Sequence, residues 1–151
     1  MWTRHRSVTL SVWCTSVMIA LMVLTGIALP FTLWNGLWVG DVVIRGGRTV
    51  MMILPVYYCF CVPAFVALAS TYRILANIKR GLVFDASNVR LLRLISWAAL
   101  AGGAICVAGA PISLAFLAVG LVCGFVGVVM RVVKNLIAAA VDLKTENDLT
   151  I

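Results

Sequence analysis

The sequence predicts an all-α integral membrane protein, a four-helix bundle whose second and fourth helices extend past the bilayer into the cytoplasm. Three observations predict it. The chain of 151 residues is 64% hydrophobic and only 11% charged, where ordinary soluble domains are about a quarter charged. It therefore lacks the polar residues to cover a water-facing surface, and its mean hydropathy is +1.12. Four apolar runs, over about residues 8–34, 50–72, 94–110 and 112–130, are each of the order needed to cross a hydrocarbon core of about 30 Å at about 1.5 Å per helical residue. The length allows one domain, 1–151.

The first run follows a short basic start, Met1-Trp-Thr-Arg-His-Arg6. A signal peptide has such a start, but its apolar region covers only about 7–15 residues and ends at small residues. This run is longer and ends in Leu-Pro-Phe-Thr-Leu-Trp, so it reads as an uncleaved first span, its last turn loosened at Pro30. Residues 35–48 form a loop rich in turn formers (Asn35, Gly36, Gly40, Asp41, Gly46, Gly47), with Trp34 and Trp38 suited to the interfacial belt. Pro55 and Pro63 lie inside the second run; each removes a helical hydrogen bond and predicts a bent helix.

Residues 73–93 are the long polar interval, with five of the twelve basic residues. Arg73, Lys79 and Arg80 continue the second helix past the membrane until Gly81 stops it. Asp85 is suited to N-cap the third helix; Phe84 and Val89 take the staple positions, and Asn88 the capping-box position. The uncharged Gly109-Ala-Pro-Ile-Ser113 reverses the chain into the fourth run, where Gly120, Gly124 and Gly127 make a small-residue stripe that Gly102 and Gly103 can receive. This stripe serves either within one chain or between copies, so a homo-oligomer remains open. Beyond Met130 the helix is expected to continue into water. Val132, Val133, Leu136, Ile137, Ala140 and Val141 form one stripe and Arg131, Lys134, Asn135 and Asp142 another, before an acidic-leaning tail ending at Ile151.

The net charge of +7 invites a nucleic-acid reading. In a membrane chain it more often reports topology, since Lys and Arg collect on cytoplasmic segments, and no basic stretch interleaves with aromatics as a nucleic-acid groove needs. No direct nucleic-acid partner is expected. With both termini inside, Arg4, Arg6, Arg73, Lys79, Arg80, Arg90, Arg93, Arg131, Lys134 and Lys144 lie on the cytoplasmic side and only Arg45 and Arg48 outside. This asymmetry orients the four spans.

Chemistry is scarce. No Asp, Glu, Lys, Arg or His falls inside the four spans, and ion-coupled transport usually needs one there. Nucleophilic or metal-assisted hydrolysis needs a base or a His and carboxylate ligand set, and the hydroxyls available have no base near them. Cys14, Cys59, Cys61, Cys106 and Cys123 all lie in apolar runs. Cys59 and Cys61 project about 200° apart on a helix and do not converge on a metal. No catalytic residue, cofactor or metal is expected, and the protein reads as no enzyme.

Gly81-Leu-Val-Phe-Asp-Ala-Ser-Asn-Val-Arg-Leu-Leu-Arg93 and the terminal Glu-Asn-Asp-Leu-Thr-Ile151 resemble the signature segment and the ending of a family of small bacterial membrane proteins, domain of unknown function 2975. The resemblance covers nearly the whole chain. It implies a four-span, multi-pass protein of the bacterial cytoplasmic (inner) membrane, often encoded beside a small helix-turn-helix regulator. It carries over no catalytic residues. The chain departs from the family where Leu136-Ile-Ala-Ala-Ala-Val-Asp142 stands in place of a more acidic stretch.

The expected function is therefore a non-enzymatic membrane protein whose cytoplasmic face binds lipid headgroups or a regulator protein. The contact residues expected are Arg80, Phe84, Asp85, Asn88, Arg90, Arg93, Glu146, Asn147 and Asp148, with Glu146 and Asp148 pairing to the basic loop if the last helix folds back beneath it. The alternative is a small transporter or resistance/immunity protein with an apolar cavity near Pro55, Tyr57 and Pro63.

Overall fold

The computed structural model describes residues 4–34, 47–83 and 85–149, with side chains over 8–31, 52–83 and 85–146. The loop at 35–46, Phe84, the side chains of Asn147 and Asp148, and Ile151 lie outside the described residues. Four helices follow one another: α1 Arg4–Trp34, α2 Gly47–Lys79, α3 Ala86–Ala108 and α4 Leu114–Leu149. All four are long and apolar enough to cross a membrane, over Val8–Phe31, Met52–Lys79, Ala86–Ala108 and Leu114–Glu146. By these helices the protein is an all-α, multi-pass membrane protein.

The prolines do not end their helices. α1 runs on through Pro30, and α2 through Pro55 and Pro63. Proline lacks the N–H that would reach the carbonyl four residues back, which for Pro30 is that of Gly26. Tyr58 of α2 donates its hydroxyl to the Gly26 carbonyl at 2.9 Å. The bond lost within one helix is thus supplied from its neighbour, as a low-dielectric surrounding requires.

Packing is serial, with α3 at its centre. Among the described residues no Cα of α1 comes within 8 Å of α3 or α4, nor one of α2 within 8 Å of α4. The buried residues concentrate on α3: Asn88, Leu92, Ile95, Ser96, Ala98, Gly102, Gly103 and Cys106. One of its faces meets α2, where a Cβ on Gly102 would stand 3.1 Å from the Phe60 ring and one on Gly109 3.1 Å from Val56. The other face meets α4, where Ser96 donates to the Gly127 carbonyl at 2.8 Å. Large apolar side chains on all four helices, among them Trp13, Phe65, Trp97 and Phe125, face outward, as helices sheathed in lipid would present them.

The expected small-residue seam forms between α3 and α4 of one chain. A Cβ on Gly103 would lie 2.9 Å from the Gly120 carbonyl oxygen and 3.0 Å from the Gly124 nitrogen; one on Gly120 would meet Val107 at 2.8 Å, and one on Gly127 would meet Leu100 at 2.9 Å. Gly124 contributes its backbone only, with nothing within 4 Å of the direction its own Cβ would take. Gly102 faces α2 instead.

Antiparallel pairing sets the levels. Counting from the Ser96–Gly127 contact, the first turn of α3 lies beside about residue 137 of α4. α4 continues to Leu149, about 18 Å farther at about 1.5 Å per residue. α4 runs as one unbroken helix from Leu114 to Leu149.

Candidate functional site

The site is the junction between α2 and α3. Its first component is a helix stop. Gly81 has φ +82°, a left-handed conformation that glycine adopts at least cost. The Gly81 N–H donates to the Ile78 carbonyl at 3.0 Å and the Leu82 N–H to the Asn77 carbonyl at 3.0 Å, the paired bonds of a Schellman ending. Two last-turn carbonyls are satisfied, and the chain turns back toward α3.

The second component is a helix start. Asp85 is the N-cap of α3, extended at φ −127° and ψ 141°, as its sequence position predicts. Its carboxylate accepts the Ser87 N–H at 3.2 Å and the Ser87 hydroxyl. These hydrogen bonds, with smaller help from Arg90, hold the Asp85 carboxyl below the usual carboxylate range.

Asn88 locks the two together. It is 2% exposed, and it does not turn back to the Asp85 N–H as a capping box would. Its amide donates to the carbonyls of Leu82 at 2.7 Å and Val83 at 2.9 Å. Its oxygen accepts from the Asn77 amide of α2 at 2.8 Å, and Asn77 also donates to Ser87 Oγ at 3.3 Å. Asn88 was expected among the contact residues. The structure engages its amide groups within the chain, so what it does is fix the geometry of the junction.

That geometry forms a cleft of about 470 Å³ lined by Arg73, Ala76, Asn77, Arg80, Ser87, Arg90 and Leu91. Arg73, Ala76, Asn77 and Arg80 have the spacing of one helical stripe, as do Ser87, Arg90 and Leu91. Three guanidiniums line the cleft, and none of its lining residues is acidic. Of the expected contact residues, Arg80 and Arg90 come together here. Asp85 caps the helix that carries Ser87 and Arg90, and Arg93 is exposed on α3 outside the lining. Arg73, Asn77 and Ser87 were not among the expected residues, although the stripe on the α2 extension carried that signal.

Glu146 lies on the α4 extension, about nine residues, or roughly 13 Å, past the level of the first α3 turn. The expected fold-back beneath the basic loop does not occur, because α4 remains one helix through Leu149. Arg131 of α4 instead stacks over Trp97 of α3, with the guanidinium carbon 4.8 Å from the ring centroid, a cation–π contact.

Two of the proposed cavity residues, Tyr57 and Pro63, belong to helix seams. Tyr57 Oη lies 2.7 Å from Thr25 Oγ1, and Thr25 donates to the Met22 carbonyl at 3.0 Å, which leaves Tyr57 as donor to Thr25. The rings of Tyr57 and Tyr58 meet edge to face, with centroids 5.8 Å apart. Pro63 backs Gly102, its Cγ 3.7 Å from where a Cβ would stand, and Pro55 is exposed.

A family model, "Protein of unknown function (DUF2975)", matches residues 6–151. The chain belongs to this family. The DUF2975 match spans all four helices and the junction between α2 and α3, so fold and cleft lie within the family's own extent. No curated protein and no solved structure matches the chain.

Proposed function

We propose that this DUF2975 protein is a non-enzymatic docking protein of the bacterial cytoplasmic membrane, with both termini in the cytoplasm. The basic residues at the N-terminus of α1, the α2–α3 junction and the C-terminal half of α4 gather at one end of the helices, the end that positive-inside topology assigns to the cytoplasm. Its partner is a small soluble helix-turn-helix regulator, held on the projecting part of α4.

The observation that carries this reading is the projection itself. α4 continues about three turns beyond the start of α3, with Leu143 66% exposed there beside Asp142 and Lys144, and Leu136, 67% exposed, seven residues back on the same face at the level where α3 begins. At and beyond the level of the arginines lipid tails give way to headgroups and water, so a groove on a soluble partner is the natural cover for an amphipathic helix. The partner's class comes from the gene neighbourhood typical of the family.

The test is co-purification of the neighbouring helix-turn-helix regulator with the full chain, repeated with Leu136→Glu/Leu143→Glu. Both positions are exposed, so membrane insertion should be unchanged. Retention by the parent chain and loss of at least about tenfold in the variant are expected, since burying two leucines is worth about 3 kcal/mol or more. A regulator never retained, or retained equally, together with transcripts unmoved by deleting residues 146–151, would refute the reading.

A further inference from the structure

We infer that the cleft between α2 and α3 is a binding site for a phosphate group, presented by a lipid headgroup or by a soluble phosphate ester, and gripped by Arg73, Arg80 and Arg90. This site is separate from the α4 surface and does not depend on what docks there.

The first argument is donor chemistry. Arginine presents a planar fork that matches two phosphate oxygens at once, and it stays charged at any physiological pH. Arg73 and Arg80 line the cleft from α2 and Arg90 from α3, with Asn77 and Ser87 between them. The Asn77 amide and the Ser87 hydroxyl donate within the junction, to Asn88, Ser87 and Asp85, so the grip falls to the three guanidiniums, and no acceptor-only side chain lines the space. The nearest carboxylate in the junction, Asp85, is bound to Ser87 through both its backbone N–H and its hydroxyl.

The second argument is pre-organisation. Three like charges brought together repel, and the Asp85 carboxylate near Arg90 offsets only part of that, so an anion in the cleft is favoured. Here the two helix ends are fixed by the Gly81 stop, the Asp85 cap and the buried Asn88, which bonds to the loop and to α2. The scaffold fixes the two helix ends that carry the arginines before a ligand arrives. A cleft of about 470 Å³ is within the usual range of about 300–1,000 Å³ for small ligands, ample for a phosphate ester and its polar head.

The third argument is depth. Arg73 is the first charged residue after the apolar length of α2, and Arg90 precedes that of α3. Counted from the Asn77–Asn88 and Ser96–Gly127 bonds, Arg73 and Arg131 fall at the same level along α3, near Leu92. Arg131 there rests on Trp97, the pairing of cation and indole found where tails give way to headgroups. The cleft opens where lipid phosphates lie, and it is also open to water.

The experiment uses the purified full chain in a neutral detergent. It is titrated separately with phosphatidic acid in mixed micelles, with phosphatidylcholine as the zwitterionic control, and with glycerol phosphate in buffer. Tight binding of phosphatidic acid alone assigns the lipid source; binding of glycerol phosphate as well assigns a soluble ester. Each supports the site. R73Q/R80Q/R90Q should weaken binding about a hundredfold, at about fivefold per arginine. R73K/R80K/R90K, which keeps charge and loses the forks, should fall between.

K79Q/R93Q/K144Q removes the same net charge from residues that do not line the cleft, and should change affinity less than about twofold. Equal losses in the two glutamine triples would overturn the proposal in favour of diffuse attraction. So would phosphatidic acid binding no better than phosphatidylcholine while glycerol phosphate does not bind. The lysine triple guards against misfolding, since a folded lysine variant with unreduced affinity also sinks the fork-specific grip.

Discussion

The seam between α3 and α4 and the seam between α1 and α2 join helices by different means. α3 and α4 meet through backbone: Gly103 against Gly120 and Gly124, Ser96 on the Gly127 carbonyl, and Leu100 over Gly127. α1 and α2 meet through long side chains, with Tyr57 reaching Thr25 and Tyr58 reaching the Gly26 carbonyl; Gly26 has nothing within 4 Å of the direction a Cβ would take. In lipid no hydrophobic effect drives helices together, so close approach and hydrogen bonds must do it. The first seam relies on both, the second chiefly on hydrogen bonds. α3 and α4 thus form the closely packed pair, while α1 is attached at the other end of the series.

Gly103→Leu should break that pair most completely. Even a Cβ there stands 2.9 Å from a backbone oxygen, which cannot rotate away as a side chain can. We expect a loss of about 3 kcal/mol or more, read as a shifted midpoint in reversible unfolding in mixed detergent. Gly124→Ala, in the same stripe, should stay within about 0.5 kcal/mol, because its Cβ would enter open space. Equal damage from both would mean that the α3–α4 seam is not the one described.

Asn88→Ala should come next, at about 2 kcal/mol. It leaves the carbonyls of Leu82 and Val83 and the amide of Asn77 without the partner they now have, and an unsatisfied buried polar group costs about 1–3 kcal/mol. Ser96→Ala should cost less, about 0.6 kcal/mol and at most about 1.7 kcal/mol, the average and maximum for hydrogen bonds between membrane helices. Both are checked in the same unfolding assay. If Ser96 outweighs Asn88, the α2–α3 junction is more loosely held than its bonds suggest.

Much of this was legible in the sequence where the signal was local. Gly81 as a stop and Asp85 as a cap depend on neighbours within a few residues, and both stand as read. The small-residue stripe of α4 was legible as a type of surface. Which glycines touch was not, because each residue turns the helix about 100° and the setting of α4 against α3 is a tertiary matter. Asn88 departs from its local pattern for a related reason. At the third helical position it reads as half of a capping box, but the Schellman turn brings the Leu82 and Val83 carbonyls to it from outside the helix. Arg73 and Arg80 were visible as charges; only the register of α2 on α3 shows that Arg90 joins them. The pairing of Glu146 with the basic loop depends on α4 folding back, and its run of Ala and Leu instead continues one helix through Leu149.

The finest prediction concerns the edge seam. Pro30 removes the N–H that would otherwise serve the Gly26 carbonyl, and Tyr58 supplies a hydroxyl in its place at 2.9 Å. If that is why the hydroxyl is needed, the two residues are energetically coupled. Tyr58→Phe should cost about 0.6 kcal/mol in the parent chain, the average for such bonds. In a Pro30→Ala background the helix regains its own donor, and the same substitution should cost close to nothing. The difference, about half a kcal/mol in a double-mutant cycle, is small but has a definite sign. A Tyr58→Phe cost that is undiminished, or larger, once Pro30 is replaced would show that the hydroxyl serves the α1–α2 contact for another reason. The edge helix would then be held by the tyrosines in their own right, with no repair of a proline break.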